Sequence, residues 1–267
     1  MKKFILFVVV SIAGLTVFAQ DSTRSRNTKA ERKAEKRQRI NAITRQEEEG
    51  TLSFHKQNAF GIQLRTNGYG AFYELGKRRS QRWTNLYMLE ITEIKHRKEE
   101  KLDAVENFFS NSFIYGKLNN FYQVKLGYGQ QYILGQKGNK NGVAVTASLT
   151  GGLSMGLLKP YYLQIEDAAG EERTISYYDD STAFANPVRI FGAGGLGKGW
   201  GELKLRPGAF AKGALRFDFG RHNEKVQALE IGMSVDYYAQ GVPLMLYNEP
   251  KKLFFQGHVA FVFGNRK

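Results

Sequence analysis

The sequence has no cysteine among its 267 residues. This absence excludes disulfide bonds, cysteine-ligated zinc, thiol catalysis and a lipidated N-terminal cysteine. Proline is scarce as well, with 5 residues, whereas Gly 29, Tyr 14 and Phe 19 are abundant. That balance favours tight turns and aromatic-rich strands over long helices.

Long apolar runs are lacking beyond the N-terminus, and the mean hydropathy of -0.42 is too polar for a bundle of membrane helices. The apolar run from Phe4 to about Leu15 follows two lysines and precedes small residues before Gln20. It is shorter than the roughly 20 residues that a spanning helix needs. We therefore predict a cleaved signal peptide over residues 1–19. The exported protein is then either soluble outside the cytoplasm or a closed β-barrel, because only helices and barrels satisfy their backbone groups in lipid.

The net charge of +14 would suggest a nucleic-acid partner in a cytosolic protein. The export signal argues against that compartment, so we expect no nucleic-acid partner. Much of the positive charge lies near the N-terminus, where residues 21–45 contain nine Lys or Arg and three acids.

The segment 20–53 differs in character from the sequence that follows it. Thr28 and Glu31 have the spacing of a capping box, which predicts the start of a basic helix or linker. One interpretation is a periplasmic arm that contacts an envelope partner, and the other is a solvated leader. The candidate partner-binding residues are Arg32, Lys33, Lys36, Arg37 and Arg39.

From Phe54 onward the apolar residues recur with a period of two, which predicts β-strands. Asn67-Gly68 is a strong hairpin signal. Eight strands are expected, at about 60–64, 69–77, 84–96, 121–134, 143–157, 208–220, 225–238 and 253–263. An even number of strands with an N-terminus in the periplasm predicts short even-numbered connections and longer odd-numbered ones. The sequence follows this rule except at its first connection, and residues 166–206 form a long outer interval.

The two faces of these strands distinguish a membrane barrel from a soluble one. The apolar phase is continuous enough to meet lipid, whereas a lipocalin-type barrel has its apolar residues inside. The opposite phase predicts a set of barrel-interior charges that pair and fill the lumen, which argues against a sizeable channel. These residues are Arg65, Glu74, Glu90, Lys125, Lys212, Arg216, Asp218, Glu230, Asp236 and His258.

Catalysis at the outer rim is the alternative that the four histidines raise. His96, at the outer end of the third strand, is the only well-placed candidate, with Glu99 or Glu100 nearby and serines in outer loops. No local motif supplies a nucleophile, so a charged strand end is the preferred interpretation. The segment Gly192–Lys204 is glycine-rich but lacks the spacing of a phosphate-binding loop, and no metal or cofactor site is predicted.

The segments "RTNGYG", "GKLNNFYQVKLGYGQQ", "GGLSMGLLKP" and the closing "AFVFG" together resemble the small outer-membrane β-barrel proteins of the Bacteroidota, an OmpA/OmpX-like class. The resemblance covers roughly residues 54–267. It implies an outer-membrane location and an eight-stranded antiparallel transmembrane barrel, with the arm and the C-terminus in the periplasm.

We therefore expect a non-enzymatic barrel, a structural or accessory subunit of an envelope complex with a plugged interior. Its partners would be outer-membrane lipid and an envelope protein that the N-terminal arm contacts. A rim enzyme acting on lipid or peptide, and a narrow channel or transporter, are the alternatives.

Overall fold

A computed structural model of the chain describes residues 33–38, 41, 54–102, 112–138, 141–166, 170–186, 190–221 and 224–267. The chain divides into two units, residues 1–46 and 47–267. In the first unit, residues 33–38 and 41 are helical and exposed. Within the described parts of the chain, no helix has the length and apolar character needed to cross a membrane. The predicted signal peptide lies outside the described residues.

The second unit is built from strands, thirteen of which fall among the described residues. They are β1 (Lys56–Arg65), β2 (Gly68–Arg78), β3 (Trp83–Ile94), β4 (Lys101–Leu102), β5 (Phe113–Ile114), β6 (Asn119–Gly135), β7 (Ala144–Pro160), β8 (Tyr162–Glu166), β9 (Glu172–Ser176), β10 (Ile190–Ala193), β11 (Lys204–Asp218), β12 (Lys225–Val242) and β13 (Lys251–Arg266).

Eight of these strands close into one antiparallel barrel in the order β1-β13-β12-β11-β7-β6-β3-β2. The last strand pairs with the first from Gln57 opposite Arg266 to Arg65 opposite His258. Closure removes the open edges that would otherwise invite pairing with another chain. The predicted fold class, an eight-stranded antiparallel barrel closed by its terminal strand, is confirmed.

The barrel wall has an apolar exterior and a buried polar interior. Leu64, Leu149, Leu153 and Phe255 project outward with 64–73 % of their surface exposed. A continuous apolar exterior is the surface that lipid covers in outer-membrane barrels. The period of two along each strand therefore produces a transmembrane barrel, as the sequence predicts.

The end of the barrel opposite the start of β1 and the end of β13 is called the outer end, following the predicted orientation. The first hairpin is tighter than the other connections at this end. Its turn consists of Thr66 and Asn67, and Gly68 already begins β2, one residue earlier than expected. A Cβ atom at Gly68 would lie 1.9 Å from the backbone oxygen of Glu93 on β3. Glycine is required here because the neighbouring backbone approaches so closely.

A small outer cap occupies the interval for which the sequence predicts only a long connection. β8 pairs with β9 and β10 in a three-stranded sheet, and the carboxylate of Asp180 caps the short helix Ser181–Phe184. β11 also starts earlier than predicted, at Lys204. The cap has an apolar core of its own, formed by Phe113, Leu163, Ile165, Ile175, Phe184 and Ile190.

Candidate functional site

The candidate site is the barrel interior, where the ten charged or titratable residues of the inward phase lie. All ten are buried, none with more than 8 % of its surface exposed. They come from β1, β2, β3, β6, β11, β12 and β13. Seven of the eight barrel strands therefore contribute to a shared interior.

Glu90 on β3 lies at the centre of one group of cations. Its carboxylate is 3.1 Å from Arg65 Nη1, 3.4 Å from Lys125 Nζ and 3.5 Å from Lys212 Nζ. Asp236 on β12 binds the same Lys125, with Nζ and Oδ1 separated by 2.6 Å. Arg65 also donates hydrogen bonds to Thr92 and Ser234, so its guanidinium joins β1 to β3 and β12.

Arg216 on β11 organises a second group that meets the first at Lys212. Its Nη2 atom lies 2.7 Å from Glu74 Oε2, and its Nε donates to Glu230 Oε2 at 2.9 Å. Glu230 Oε1 also lies 3.1 Å from Lys212 Nζ, as an ion pair, and 3.3 Å from His258 Nε2. Strands β2, β11, β12 and β13 meet in this second group, and Lys212 joins the two groups into one network of ion pairs.

The two groups together balance their charges. Four permanent cations, Arg65, Lys125, Lys212 and Arg216, face the four carboxylates Glu74, Glu90, Glu230 and Asp236. A buried charge is tolerated only when it is paired, because desolvation costs several kcal/mol per ion. The balance explains how so many charges occupy the interior of a narrow barrel.

Asp218, at the end of the barrel where the last strand finishes, pairs with two residues that the sequence did not predict. Arg266 Nη2 lies 2.6 Å from Asp218 Oδ2, and Lys137 Nζ lies 3.5 Å from Asp218 Oδ1. Arg266 shares the even-numbered inward phase of His258, so that phase could have identified it. Lys137 lies in a turn, where strand alternation gives no signal.

Apolar layers flank the charged network. Phe121, Tyr238 and Phe254 pack with Ile94 and Leu158 at the outer side. The Tyr238 hydroxyl joins this layer to the polar interior through Gln123 and Ser154, at 2.6 Å and 2.7 Å. A second layer contains Ala59, Phe72, Met88, Phe210, Val226, Ala228, Ala260 and Val262. Ion pairs and apolar side chains therefore share the barrel interior.

His96, the rim candidate, is bound to its own loop. Its Nδ1 accepts the backbone amide of Lys98 at 3.3 Å, and its backbone amide donates to Glu99 at 2.8 Å. Glu99 is also paired with Lys117 at 2.7 Å. Burial lowers the pKa of His96, and the nearby Lys251 lowers this pKa further. An Nδ1 atom that accepts an amide cannot donate to an orienting carboxylate, as a catalytic triad requires.

The outer-loop serines that could serve His96 as a nucleophile are Ser110, Ser112, Ser176 and Ser181. Ser112 is exposed beside β5, and two of the others have roles within the cap. The Ser176 hydroxyl donates to Asp179 at 2.8 Å within the cap, and Ser181 begins the capped helix. Ser110 lies outside the described residues. Of the other histidines, His55 is exposed just before β1, His258 is in the network, and His222 is not described.

The glycine-rich segment lies against the barrel wall. Trp200 stacks on outward-facing Tyr122 at 5.7 Å and donates its indole N–H to the backbone oxygen of Leu196. Lys159 Nζ lies 4.7 Å from the Trp200 ring. These contacts indicate an anchored outer loop.

The arm is only partly described. Lys33, Lys36 and Arg37 are exposed on its helical residues 33–38, whereas Arg32 and Arg39 lie outside the described residues. Their role in partner contact stays a prediction.

Comparison with known proteins assigns the chain by its sequence. A sequence model described as "Surface lipoprotein assembly modifier" matches residues 29–190, more than half of the chain. The chain belongs to the surface lipoprotein assembly modifier family. The match includes part of the basic arm, the barrel strands β1, β2, β3, β6 and β7, and the cap as far as the start of β10. The barrel strands β11, β12 and β13 lie beyond it. No functionally curated protein matches the chain in sequence.

Solved small barrels are similar in outline. Neisserial surface protein A has 10% identity and a TM-score of 0.36, over 80% of this chain and 97% of that protein. The N-terminal β-barrel domain of Pseudomonas aeruginosa OprF has 10% identity and a TM-score of 0.35, over 79% and 100%. Ail of Yersinia pestis, solved with the heparin analogue sucrose octasulfate, has 9% identity and a TM-score of 0.35, over 80% and 100%.

Family and fold agree on the general character of the protein. A closed barrel with an apolar exterior is an outer-membrane architecture, and the family is concerned with the cell envelope. The protein is therefore an outer-membrane accessory barrel.

Proposed function

We propose that this protein is a non-enzymatic accessory barrel that promotes the assembly of lipoproteins at the cell surface. It acts in the outer membrane through its surfaces, and no substrate passes through its lumen. Family membership supports the link to surface lipoproteins.

The ion-pair network is the observation that carries this mechanism. Eight strands leave an interior just wide enough for side chains, and here that space holds four cations paired with four carboxylates. Opening a path would separate these pairs at a cost of several kcal/mol each. A lipoprotein therefore meets the rim, the cap or the arm of this barrel.

The experiment that tests this function is surface proteolysis of intact cells. A deletion strain should retain its normal total of lipoproteins while the fraction accessible to external protease falls. Re-expression of the full chain should restore accessibility, and a periplasmic protein should stay protected throughout as the control for envelope integrity. Unchanged accessibility of every lipoprotein in the deletion strain would contradict the proposal.

We also propose that the basic arm contacts an envelope protein. Lys33, Lys36 and Arg37 are exposed and lie on one short helical stretch, which suits an acidic partner surface. Removal of residues 21–49 should leave a heat-modifiable barrel in the membrane but abolish co-purification of its partners. A matched variant with Gln at Arg32, Lys33, Lys36, Arg37 and Arg39 keeps the length of the arm and removes its charge, so it shows which of the two the contact needs. An unchanged set of co-purifying proteins in both variants would refute the role of the arm.

The signal peptide and the periplasmic location of both termini belong to the same proposal. Mass spectrometry of the mature protein should give an N-terminus at Gln20. A tag after Lys267 should be protected from external protease in intact cells, and its digestion would contradict the orientation.

A further inference from the structure

The short first hairpin leaves a gap in the outer part of the barrel wall. β1 ends at Arg65, opposite His258, but β13 continues outward along residues 251–257 without a partner in β1. The hairpin turn is tied to both neighbours, since Thr66 N donates to Gly257 O and Lys95 N donates to Asn67 O. The end of β3 and the start of β13 therefore face each other above this turn.

The gap forms a window of about 250 Å³ with a closed back. Thr66 and Asn67 line its floor, and Ile94 and Phe254 form the back as part of the outer apolar layer. Above it, Lys98 Nζ donates to Asn248 Oδ1 at 3.1 Å and joins the two outer loops. The inner side of the window therefore consists of buried apolar side chains of that layer.

The charged and titratable groups that line this window are Lys95, His96, Arg97 and Lys251. Among the described residues, no acid lines it. Of the described acids near it in sequence, Glu99 pairs with Lys117, Glu93 accepts the hydroxyl of Tyr69, and Glu100 and Glu249 lie outside the lining. The window thus concentrates positive charge without a carboxylate of its own, which is the arrangement that attracts an anion.

The lower lip of the window faces the membrane. Leu253 and Phe255 line it and project outward, with 59 % and 64 % of their surface exposed. On β13 the Gly257 carbonyl points to the β1 side, so by alternation the backbone N–H and C=O groups of Leu253 and Phe255 point into the gap, where the N–H groups can donate to a ligand. Cations directly above lipid-facing residues lie at the height of lipid headgroups.

We propose that the window binds the phosphate group of an outer-leaflet lipid. Arg97 and Lys251 provide charge-assisted hydrogen bonds to the phosphate oxygens, and the acyl chains lie along Leu253 and Phe255. The site is independent of lipoprotein assembly, so either proposal can fail without the other.

Lipid retention by the purified full-length barrel tests this site. The protein in detergent is mixed with a phosphorylated glycolipid or with the same glycolipid after removal of its phosphate, and retention is measured by native mass spectrometry. Wild type should retain the phosphorylated form at least about ten-fold better, since several charge-assisted hydrogen bonds depend on the phosphate. Equal retention of both forms would overturn the proposal.

A matched pair of variants locates the binding. The double variant Arg97→Gln and Lys251→Gln should lose most of this preference, whereas Lys56→Gln and Lys225→Gln, which remove the same charge at the periplasmic rim, should keep it. Heat modifiability on gels verifies that each variant is folded. An equal loss in both variants would indicate non-specific attraction and overturn the assignment.

Free phosphate distinguishes a lipid from a soluble ligand. Inorganic phosphate lacks acyl chains and should fail to displace the glycolipid at equal concentration. Displacement at equal concentration would mean that the site recognises the ion only, contrary to the proposal.

The His96 ring provides a second readout. Lys95, Arg97, Lys98 and Lys251 surround it with positive charge and Glu99 is the nearby acid, and a bound phosphate favours the protonated imidazolium. The pKa of His96, followed by NMR, should rise when the phosphorylated glycolipid is added and stay constant with the dephosphorylated form. A constant pKa with both lipids would contradict binding at this window.

Discussion

The barrel interior and the outer window both contain several cations, but these cations differ in burial and in their ion-pair partners. In the interior, Arg65, Lys125, Lys212 and Arg216 each meet a carboxylate and are almost completely buried. In the window, Lys95, Arg97 and Lys251 are exposed and no acid shares the lining. The difference teaches which charges maintain the fold and which are available to a ligand.

Burial explains the contrast. A charge removed from water needs a partner in the protein, whereas an exposed cation is solvated and gains little from a fixed ion pair. Pairing is therefore expected inside the barrel regardless of function. At the rim, Lys95 Nζ lies 5.1 Å from the centre of the Tyr69 ring, whereas burial gives no structural reason for Arg97 and Lys251 to share one window.

The largest effect is expected for Arg216→Ala. This change removes the guanidinium that pairs with the buried carboxylates of Glu74 and Glu230. We therefore expect the free energy of unfolding to fall by about 3–5 kcal/mol. Urea unfolding in lipid vesicles, read by tryptophan fluorescence, measures it. The double variant Arg216→Met with Glu74→Gln keeps the numbers of buried cations and carboxylates equal, because Glu230 retains Lys212, and it should recover much of the loss. A stable Arg216→Ala barrel would show that the network is not structural.

A smaller effect is expected for Lys212→Met. Glu230 keeps Arg216 and Glu90 keeps Arg65 and Lys125, so no carboxylate is left alone. The free energy of unfolding should fall by about 1–3 kcal/mol in the same assay. A loss of stability equal to that of Arg216→Ala would mean that the remaining cations do not compensate for the loss of Lys212.

The window variant should barely change stability. Arg97→Gln with Lys251→Gln removes two exposed charges that no buried group depends on, so the urea midpoint should match wild type. Lipid retention should nonetheless fall, as argued above. A large drop in the urea midpoint would show that Arg97 and Lys251 stabilise the fold, contrary to the distinction between the window and the interior.

The smallest effect concerns a tyrosine in the outer cap. Tyr162 donates its hydroxyl to Glu202 Oε1 at 2.7 Å, and this hydrogen bond, with burial, raises the pKa of Tyr162 to about 12. The difference in ultraviolet absorbance between wild type and Tyr162→Phe should titrate near that value. Glu202→Gln should bring the titration back toward the ordinary pKa of tyrosine, and no change would remove Glu202 as the cause.

The sequence predicts the barrel and its inward phase because both depend on one local rule. A period of two assigns Glu90 and Arg216 to the same face without any knowledge of neighbours. The pairing of Arg216 with Glu74, 142 residues away, requires the register of several strands and the closure of the barrel. Local alternation cannot supply that information.

The cap and the window were missed for different reasons. β8, β9 and β10 have only four or five residues each, too few for alternation to stand out beside glycine and acid. The sequence shows that the first connection is short, an exception to the rule that odd-numbered connections are long. Its consequence, that Arg97 and Lys251 face one space, appears only when β13 closes against β1.

Single-channel recording in planar bilayers tests the central claim most directly, namely that paired charges seal the lumen. The purified barrel should insert and give no stable openings, because Arg65, Glu90, Lys125 and Asp236 occupy the interior. The variant Lys125→Ala with Asp236→Ala removes one pair and serves as the matched comparison. Stable openings of porin size in the wild-type protein would contradict the account.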